Sequence, residues 1–465
     1  MLYKQTYITC LLAILTSSSV LARTISLDEY LRRASEKNHS IEAVLNNLKQ
    51  KDYLKGLKLN PAYTILGLRN QFGVDPKDQS KTSSIGTKIE KTSPDAGRKY
   101  SLELNHSKSQ EIEENLIKAQ IGQNILKNSF GRHYRIGIAK VKLEQEIIDL
   151  QVLEHYEDII QNFSLYYLDW QLASLSLRAS KDQANRFEKI VGDIKAKLTQ
   201  SIAHPLDLKK AEYQLLLRRE NVLAQEGRYR AYTSRIRSLI KLPGDISPAQ
   251  KVATEMRTLV LRNDQVHQEV GRTRKISIFK LRENINKYET DLAKEQYRPE
   301  LDLFLGYQHG QSNRSNIKTD AGDAFLGLSL NYPIGDTQKN AQIQQATFEK
   351  SMVYLEMLSA KEELASALTD LGETINSEIK MVGVLALKWQ LAKEIMASEL
   401  KRFEQGEIEL QALIDAESRL AESQYSYLKH QVFLAKKRIE WANMTDRLVS
   451  KLPSRKKIPV LKTSL

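Results

Sequence analysis

RFEQGEIELQALIDAESRLAESQYSYLKHQVFLAKKRIEW, residues Arg402 to Trp441, decides how this chain is read. Within it Leu413, Leu420, Tyr427, Leu434 and Trp441 recur every seven residues, with Ile414, Ala421, Leu428, Ala435 and Ala442 beside them. A sustained seven-residue apolar repeat commits a helix to pack lengthwise against another helix, with left-handed supercoiling. The pattern occurs twice. Leu208, Leu215, Val222, Tyr229 and Ile236 lie 205 positions earlier, and Ala211-Glu212 falls on Ala416-Glu417. The chain therefore reads as a duplication.

Working outward, proline placement sets the scale. The 465 residues hold only 10 prolines, and none lies in 95–204 or 334–452. Proline breaks helix interiors, so these gaps permit very long helices. A helix filling most of 108–200 would be about 130–140 Å long at about 1.5 Å per residue. The N-terminus, MLYKQTYITCLLAILTSSSVLA, reads as a secretory signal peptide over 1–22: Lys4, an apolar centre from Ile8 to Leu15, and a small-residue cleavage site at Val20-Leu21-Ala22. Its apolar run is too short to span a bilayer. The only cysteine, Cys10, lies inside it, so the mature chain is expected to have no disulfide and no thiol chemistry. Net charge is +13, spread along helix faces and concentrated only in a basic tail over 451–465. An exported chain of this kind calls for no nucleic acid partner.

The order of elements then repeats. Ser26-Leu27-Asp28-Glu29 is a capping box, and a helix follows to about Asn60, ended by Pro61. Leu66, Leu68 and Phe72 alternate with Arg69 and Gln71, which is strand period. After a polar loop, Ser84–Thr92 and Arg98–His106 read as further strand pieces around the turn Pro94-Asp95-Ala96-Gly97. Helix is expected from there to about Leu198, then a turn containing Pro205, then helix to Leu242. The second pass runs from a helix over Asn263 to Tyr297, through alternating strands at Leu301–Tyr307 and Ala324–Tyr332, to a helix reaching Gln405 and the quoted stretch. The expected boundaries are a first repeat over 23–245, with strands about 62–106 and a hairpin tip near 199–207, and a second over 246–450, with strands about 300–332 and a tip near 404–412. The fold class is mainly α, with long antiparallel helical hairpins and a small β part of about four strands.

Strands of this length and alternation suit a bilayer. Four or five cannot close a barrel, and open edges are not tolerated in lipid. Several chains pooling strands would solve this: three chains of four strands give twelve. The alternative is a soluble periplasmic coiled-coil protein, bridging or adaptor in kind, whose small sheet caps a bundle and forms no pore.

The opening SLDEYLRRASEKNHSIEA, Tyr297-Arg298-Pro299-Glu300-Leu301 entering a strand, LGLSLNYPIG leaving one, and RFEQG followed by LIDAE together resemble the TolC family of outer-membrane efflux proteins. The resemblance covers nearly all of 25–450. It implies a homotrimer with a shared twelve-stranded barrel in outer-membrane lipid and a hollow helical cylinder in the periplasm. The cylinder would dock on a periplasmic adaptor protein and an inner-membrane pump or ABC exporter. It also implies that acidic residues at the tips narrow the lumen. Of the two acidic positions of the second tip, this chain keeps Asp415 and has Ala412 at the other. Glu407 and Glu409 would add to an acidic mouth. Asp207 is the first-tip counterpart of Ala412, and its expected basic partner is replaced by Ile408. The tips also form the family's adaptor-docking surface, here Ser201, Ile202, Ala203, His204 and Pro205 in the first and Gly406 in the second. For Asp415 the competing reading is an ordinary solvated helix acid. No Walker phosphate loop, dinucleotide fingerprint or zinc-protease motif is present in the sequence, so no enzyme activity and no cofactor are expected.

Overall fold

The computed structural model describes residues 23–449 except 60, 61, 75–79, 201, 202, 261, 315, 316, 333, 335 and 336. The leader over 1–22, the basic tail, Pro61, Pro333 and the tip residues Ser201 and Ile202 therefore lie outside the described residues.

The chain begins with β1 (Arg23–Ile25), α1 (Leu27–Lys37) and α2 (His39–Lys58). Four strands follow: β2 (Tyr63–Val74), β3 (Lys81–Ser93), β4 (Arg98–Lys108) and β5 (Ile112–Asn124). Next come α3 (Arg132–Thr199) and α4 (Pro205–Ile240). The second pass comprises β6 (Ile246–Pro248), α5 (Asn263–Arg272), α6 (Arg274–Gln296), β7 (Glu300–Arg314), β8 (Ile317–Asn331), α7 (Thr337–Glu404) and α8 (Leu410–Met444). The duplication is visible in the long helices. Each of α3 and α7 has 68 residues, and both ends of α7 lie 205 positions after those of α3. Each is about 100 Å long at about 1.5 Å per residue. At the start of the mature chain, Ser26 caps α1 by accepting from the Glu29 amide at 3.2 Å. Glu29 does not complete a capping box; its carboxylate pairs with Arg23 and Arg33.

The helices form a layer four helix-lines wide. α2 packs on the first part of α3, and α4 on the rest. α6 and then α8 line the other side of α3, and α7 packs on both of them. The order across the layer is α2/α4, α3, α6/α8, α7. The seven-residue repeat lies in this seam: Leu413, Leu420 and Leu434 are buried, and Tyr427 stacks on Trp389 of α7 at 5.3 Å. The main core is built on α3, where Tyr156, Phe163, Tyr167 and Trp170 pack with Tyr30 of α1, Ile236 of α4 and Val432 of α8. Beside it β1 and β6, the opening strands of the two passes, pair in parallel.

The six strands β2-β3-β4-β5-β7-β8 form one antiparallel sheet in that order. The chain thus has six strands in this sheet where about four were expected. The segments near 84–92 and 98–106 are two strands. A further strand, β5, occupies ground assigned to helix, so α3 starts at Arg132 rather than near 108. The reason is composition. IEENLIKAQIGQN is rich in helix formers, and only pairing with β4 and β7 holds it extended. Likewise, the polar residues 310–314 and 317–322 continue the two strands of the β7–β8 hairpin.

The two faces of the sheet differ throughout. Leu66, Leu68 and Phe72 of β2 share a face with Ile85 and Ile89, Leu102 and Leu104, Ile117 and Ile121, Leu303 and Leu305, and Leu326 and Leu328 of the successive strands. All of these side chains are exposed. The opposite face carries Thr, Ser, Gly, Lys and Glu in most positions. On that face Phe304 and Phe325 meet edge to face at 6.2 Å. Each lies over a glycine, since a Cβ on Gly327 or Gly306 would come within 2.3 Å of a ring carbon.

Candidate functional site

Both hairpin tips lie at the same end of the helical layer and share one core. Phe187, Ile190 and Ile194 of α3, Ala211 and Leu215 of α4, and Leu410, Leu413 and Ala416 of α8 are buried together, with Phe403 packed against them. Small residues at 211 and 416 let the returning helices approach closely.

The two turns are built differently. In the second, Gly406 adopts φ +78°, and the Glu407 amide donates to the Arg402 carbonyl at 2.9 Å while the Gly406 amide donates to Phe403 at 3.1 Å. That is a Schellman ending, which a left-handed glycine permits. In the first tip, His204 caps α4 by accepting from the Leu206 amide at Nδ1, 3.2 Å away, and Pro205 occupies the first helical turn. His204, Pro205 and Gly406 are exposed, and Ala203 is half-buried. The accessible part of the expected docking surface is thus a glycine turn beside a histidine-proline turn.

The acidic residues fall into distinct environments. Asp415 sits on the exposed face of α8, in line with Gln411, Arg419 and Glu422, and accepts from Gln411 at 2.9 Å. Glu407 is paired with Arg402 at 3.3 Å, so its charge is compensated within the turn. Glu409 is exposed at the cap of α8 and Asp207 is half-buried in the first turn of α4; neither makes a side-chain hydrogen bond or ion pair among the described residues. Ile408 and Ala412 are half-buried apolar residues and offer Asp207 no polar group. Of the tip acids singled out in the sequence, Asp207, Glu409 and Asp415 make no ion pair among the described residues.

A tether absent from the sequence reading joins the tips. The Lys197 amine, near the end of α3, donates to the Phe403 carbonyl at 2.7 Å and the Glu404 carbonyl at 3.2 Å, and lies 4.6 Å from the Phe403 ring centroid. A cation on the final carbonyls of a helix satisfies unpaired acceptors and opposes the dipole. Its signal was present in the repeat: Lys197 lies 205 positions before Arg402. Further up, buried Glu417 of α8 accepts from Arg186 at 2.8 Å and Gln183 at 2.7 Å, both on α3. Its repeat counterpart, Glu212, is half-exposed and paired with Lys195.

Set beside known proteins, the chain matches no protein-family model, and no curated protein matches it in sequence. Solved structures do match over nearly the whole chain. The transmembrane channel protein CusC superposes with a TM-score of 0.70 at 11% identity, covering 90% of this chain and 91% of that one. The outer membrane protein VceC of Vibrio cholerae gives 0.65 at 10% identity, with 90% and 95% coverage. The open state of the MtrE outer membrane channel of Neisseria gonorrhoeae gives 0.65 at 12% identity, with 90% and 88% coverage. The fold is that of the TolC-like outer-membrane channels. At these identities the likeness is one of architecture. On the outer-membrane-channel fold, the tips described above are the end of the helical layer farthest from the sheet.

Proposed function

We propose that the protein is an outer-membrane duct, a homotrimer that passively conducts exported substrate received from a periplasmic adaptor and an inner-membrane pump. One observation carries the reading: a single chain has two unsatisfied edges running its whole length. On one side β2 continues into α2 and α4; on the other β8 continues into α7. Both helical edges expose apolar stripes. On α7 these are Phe348, Met352 and Leu355, then Val384, Leu387, Leu391 and Ile395. On the opposite edge they are Tyr53 and Leu57 of α2, then Leu206, Tyr213, Leu216 and Leu223 of α4. Three- and four-residue spacing is that of a helix-packing stripe. A groove of about 510 Å³ between α7 and α8, lined by Val384, Leu387, Leu391 and Ile395, is shaped for a neighbour's helix.

Copies of the chain joined edge to edge cover both stripes and pair both strand edges. Closure also leaves the apolar face of the sheet toward lipid, where every backbone polar group must be bonded within the protein. The soluble-bridge alternative would leave that face in water. Three copies give twelve helix-lines around a lumen. The uncompensated Asp207, Glu409 and Asp415 then recur around one axis at the periplasmic mouth, where the gathered like charges repel one another and attract cations. The exposed turns at 203–206 and 404–409 are the adaptor-docking surface.

Fractionation with unheated gel electrophoresis tests this reading. An outer-membrane protein running as a trimer and collapsing to a monomer on heating is expected. A monomer found wholly in the soluble periplasm would sink the duct.

A further inference from the structure

We propose that three copies close an eighteen-stranded barrel, about 1.5 times as wide as the twelve-stranded one that four strands per chain would give. The inference rests on the duct reading above and concerns the β3–β4 hairpin. Without that hairpin β2 would neighbour β5, and each chain would bring four strands.

Three features make the hairpin part of the wall. First, its register is continuous. β3 pairs with β2 from Tyr63↔Thr92 to Val74↔Lys81, and β4 pairs with β5 from Arg98↔Gln123 to Lys108↔Glu113. Second, its faces match those of the other strands. Ile85, Ile89, Leu102 and Leu104 extend the exposed apolar band, while Thr82, Ser84, Lys88, Glu90, Ser101 and Glu103 lie on the polar face. A hairpin folded out into solvent would gain nothing from an apolar face in register with its neighbours. Third, its lower turn is seated on the junction between β5 and α3. The Asn124 amide donates to the Gly97 carbonyl at 3.0 Å, and the Gln123 amide nitrogen donates to Ala96 and Gly97 at 3.0 and 3.2 Å. Gly97 and Gly131 both take positive φ, and a Cβ on Gly97 would meet the Asn128 carbonyl at 2.7 Å.

Strand direction permits closure. Neighbours alternate from β2 to β8, so β2 and β8 run in opposite senses. The β8 edge of one copy therefore meets the β2 edge of the next antiparallel. Three copies of six strands give eighteen, over a tunnel of twelve helix-lines. Barrel diameter grows roughly linearly with strand number, so the pore is about 1.5 times as wide as a twelve-stranded one, within the range that leaves an aqueous channel.

The test uses the full chain, reconstituted in liposomes, with nitroxide labels on single cysteines. Labels at Ile85 and Leu102 are expected to be reached by oxygen from the lipid, and labels at Glu90 and Glu103 by a water-soluble nickel chelate. Leu66 and Leu328, on strands β2 and β8, serve as the reference for the duct itself. Lipid contact at 66 and 328 with water contact on both faces of the hairpin would leave a twelve-stranded duct and overturn the proposal. Water contact at 66 and 328 as well would overturn the duct reading. A native mass of two copies would also overturn the eighteen-strand count. A second measurement uses a chain lacking 75–110. The largest polymer entering from the outer side is expected to be about 1.5 times wider for the full chain than for the shortened one; equal limits would count against the proposal. If the shortened chain does not assemble, the label pattern still decides.

Discussion

α3 and α7 are counterparts of equal length in the two passes, yet they meet different surroundings. α3 is enclosed on both sides, by α1, α2 and α4 on one and by α6 and α8 on the other, and none of its large apolar side chains is strongly exposed. α7 is covered on one side only; Val384, Leu387 and Leu391 are 62%, 63% and 58% exposed. Repetition in sequence thus did not produce repetition in burial. A layer has a middle and two edges, and the same helix serves as packed core in one position and as an interface in the other. The tips repeat the lesson: Lys197 ends the inner helix and reaches across to α7, while Arg402, its counterpart, stays with Glu399 and Glu407 of its own hairpin.

The difference can be broken at the middle first. Arg274 is buried against Glu154 at 2.8 Å, Asp446 at 3.1 Å and Glu157, and links α6, α3 and the end of α8. Arg274→Ala leaves carboxylates without their counter-charge, and about 3–5 kcal/mol of stability is expected to be lost, read by denaturant unfolding of the protomer. At the edge, Leu387→Glu with Leu391→Glu is expected to remove about 2 kcal/mol or more per site from assembly while leaving the protomer's far-ultraviolet dichroism and unfolding midpoint unchanged. Sedimentation should show monomer. If that variant unfolds the protomer instead, α7 is not an edge. Gly406→Ala places a side chain at φ +78° and is expected to cost about 1–2 kcal/mol, with weaker adaptor binding in a pull-down.

A smaller effect should appear with pH. Burial, reinforced by the charge of Asp446, raises the Glu154 carboxyl above its ordinary 4.5 despite the opposing Arg274. A carboxyl raised in the folded state adds stability below its unfolded value, and that stability is lost as pH rises through the folded value. Glu154→Gln should therefore flatten the fall in stability just above pH 4.5, a shift visible in midpoints measured from pH 4 to 7. The smallest change in stability is expected for Asp415→Ala, a surface substitution. Its readout is block of the reconstituted channel by multivalent cations, which should weaken. Unchanged block removes Asp415 from the mouth.

Much of this was legible because helices and strands carry their periods locally. The 205-residue offset, the heptads from Leu413 to Trp441 and the alternation at Leu66–Phe72 each specify an element without reference to the rest of the chain. The positions of Gly406 in the turn, Asp207 in the first turn of α4 and Asp415 near the start of α8 were readable for the same reason. β5 was not, because Glu, Leu, Lys, Ala and Gln favour helix until two neighbouring strands supply hydrogen bonds. Nor was the pairing of Glu407 with Arg402, or of Lys197 with the end of α7, since each depends on how a turn closes or which helix lies alongside.

The sequence alone thus determined most of the elements, their twofold order and the residue types that stand at the tips, through periodicity and proline placement. The tertiary structure decided how many strands the sheet holds, which of two equivalent helices is core and which is edge, and which acids keep an uncompensated charge. Those outcomes depend on contacts between residues far apart in the chain, and hydrogen bonding across strands and burial between helices have no local signature.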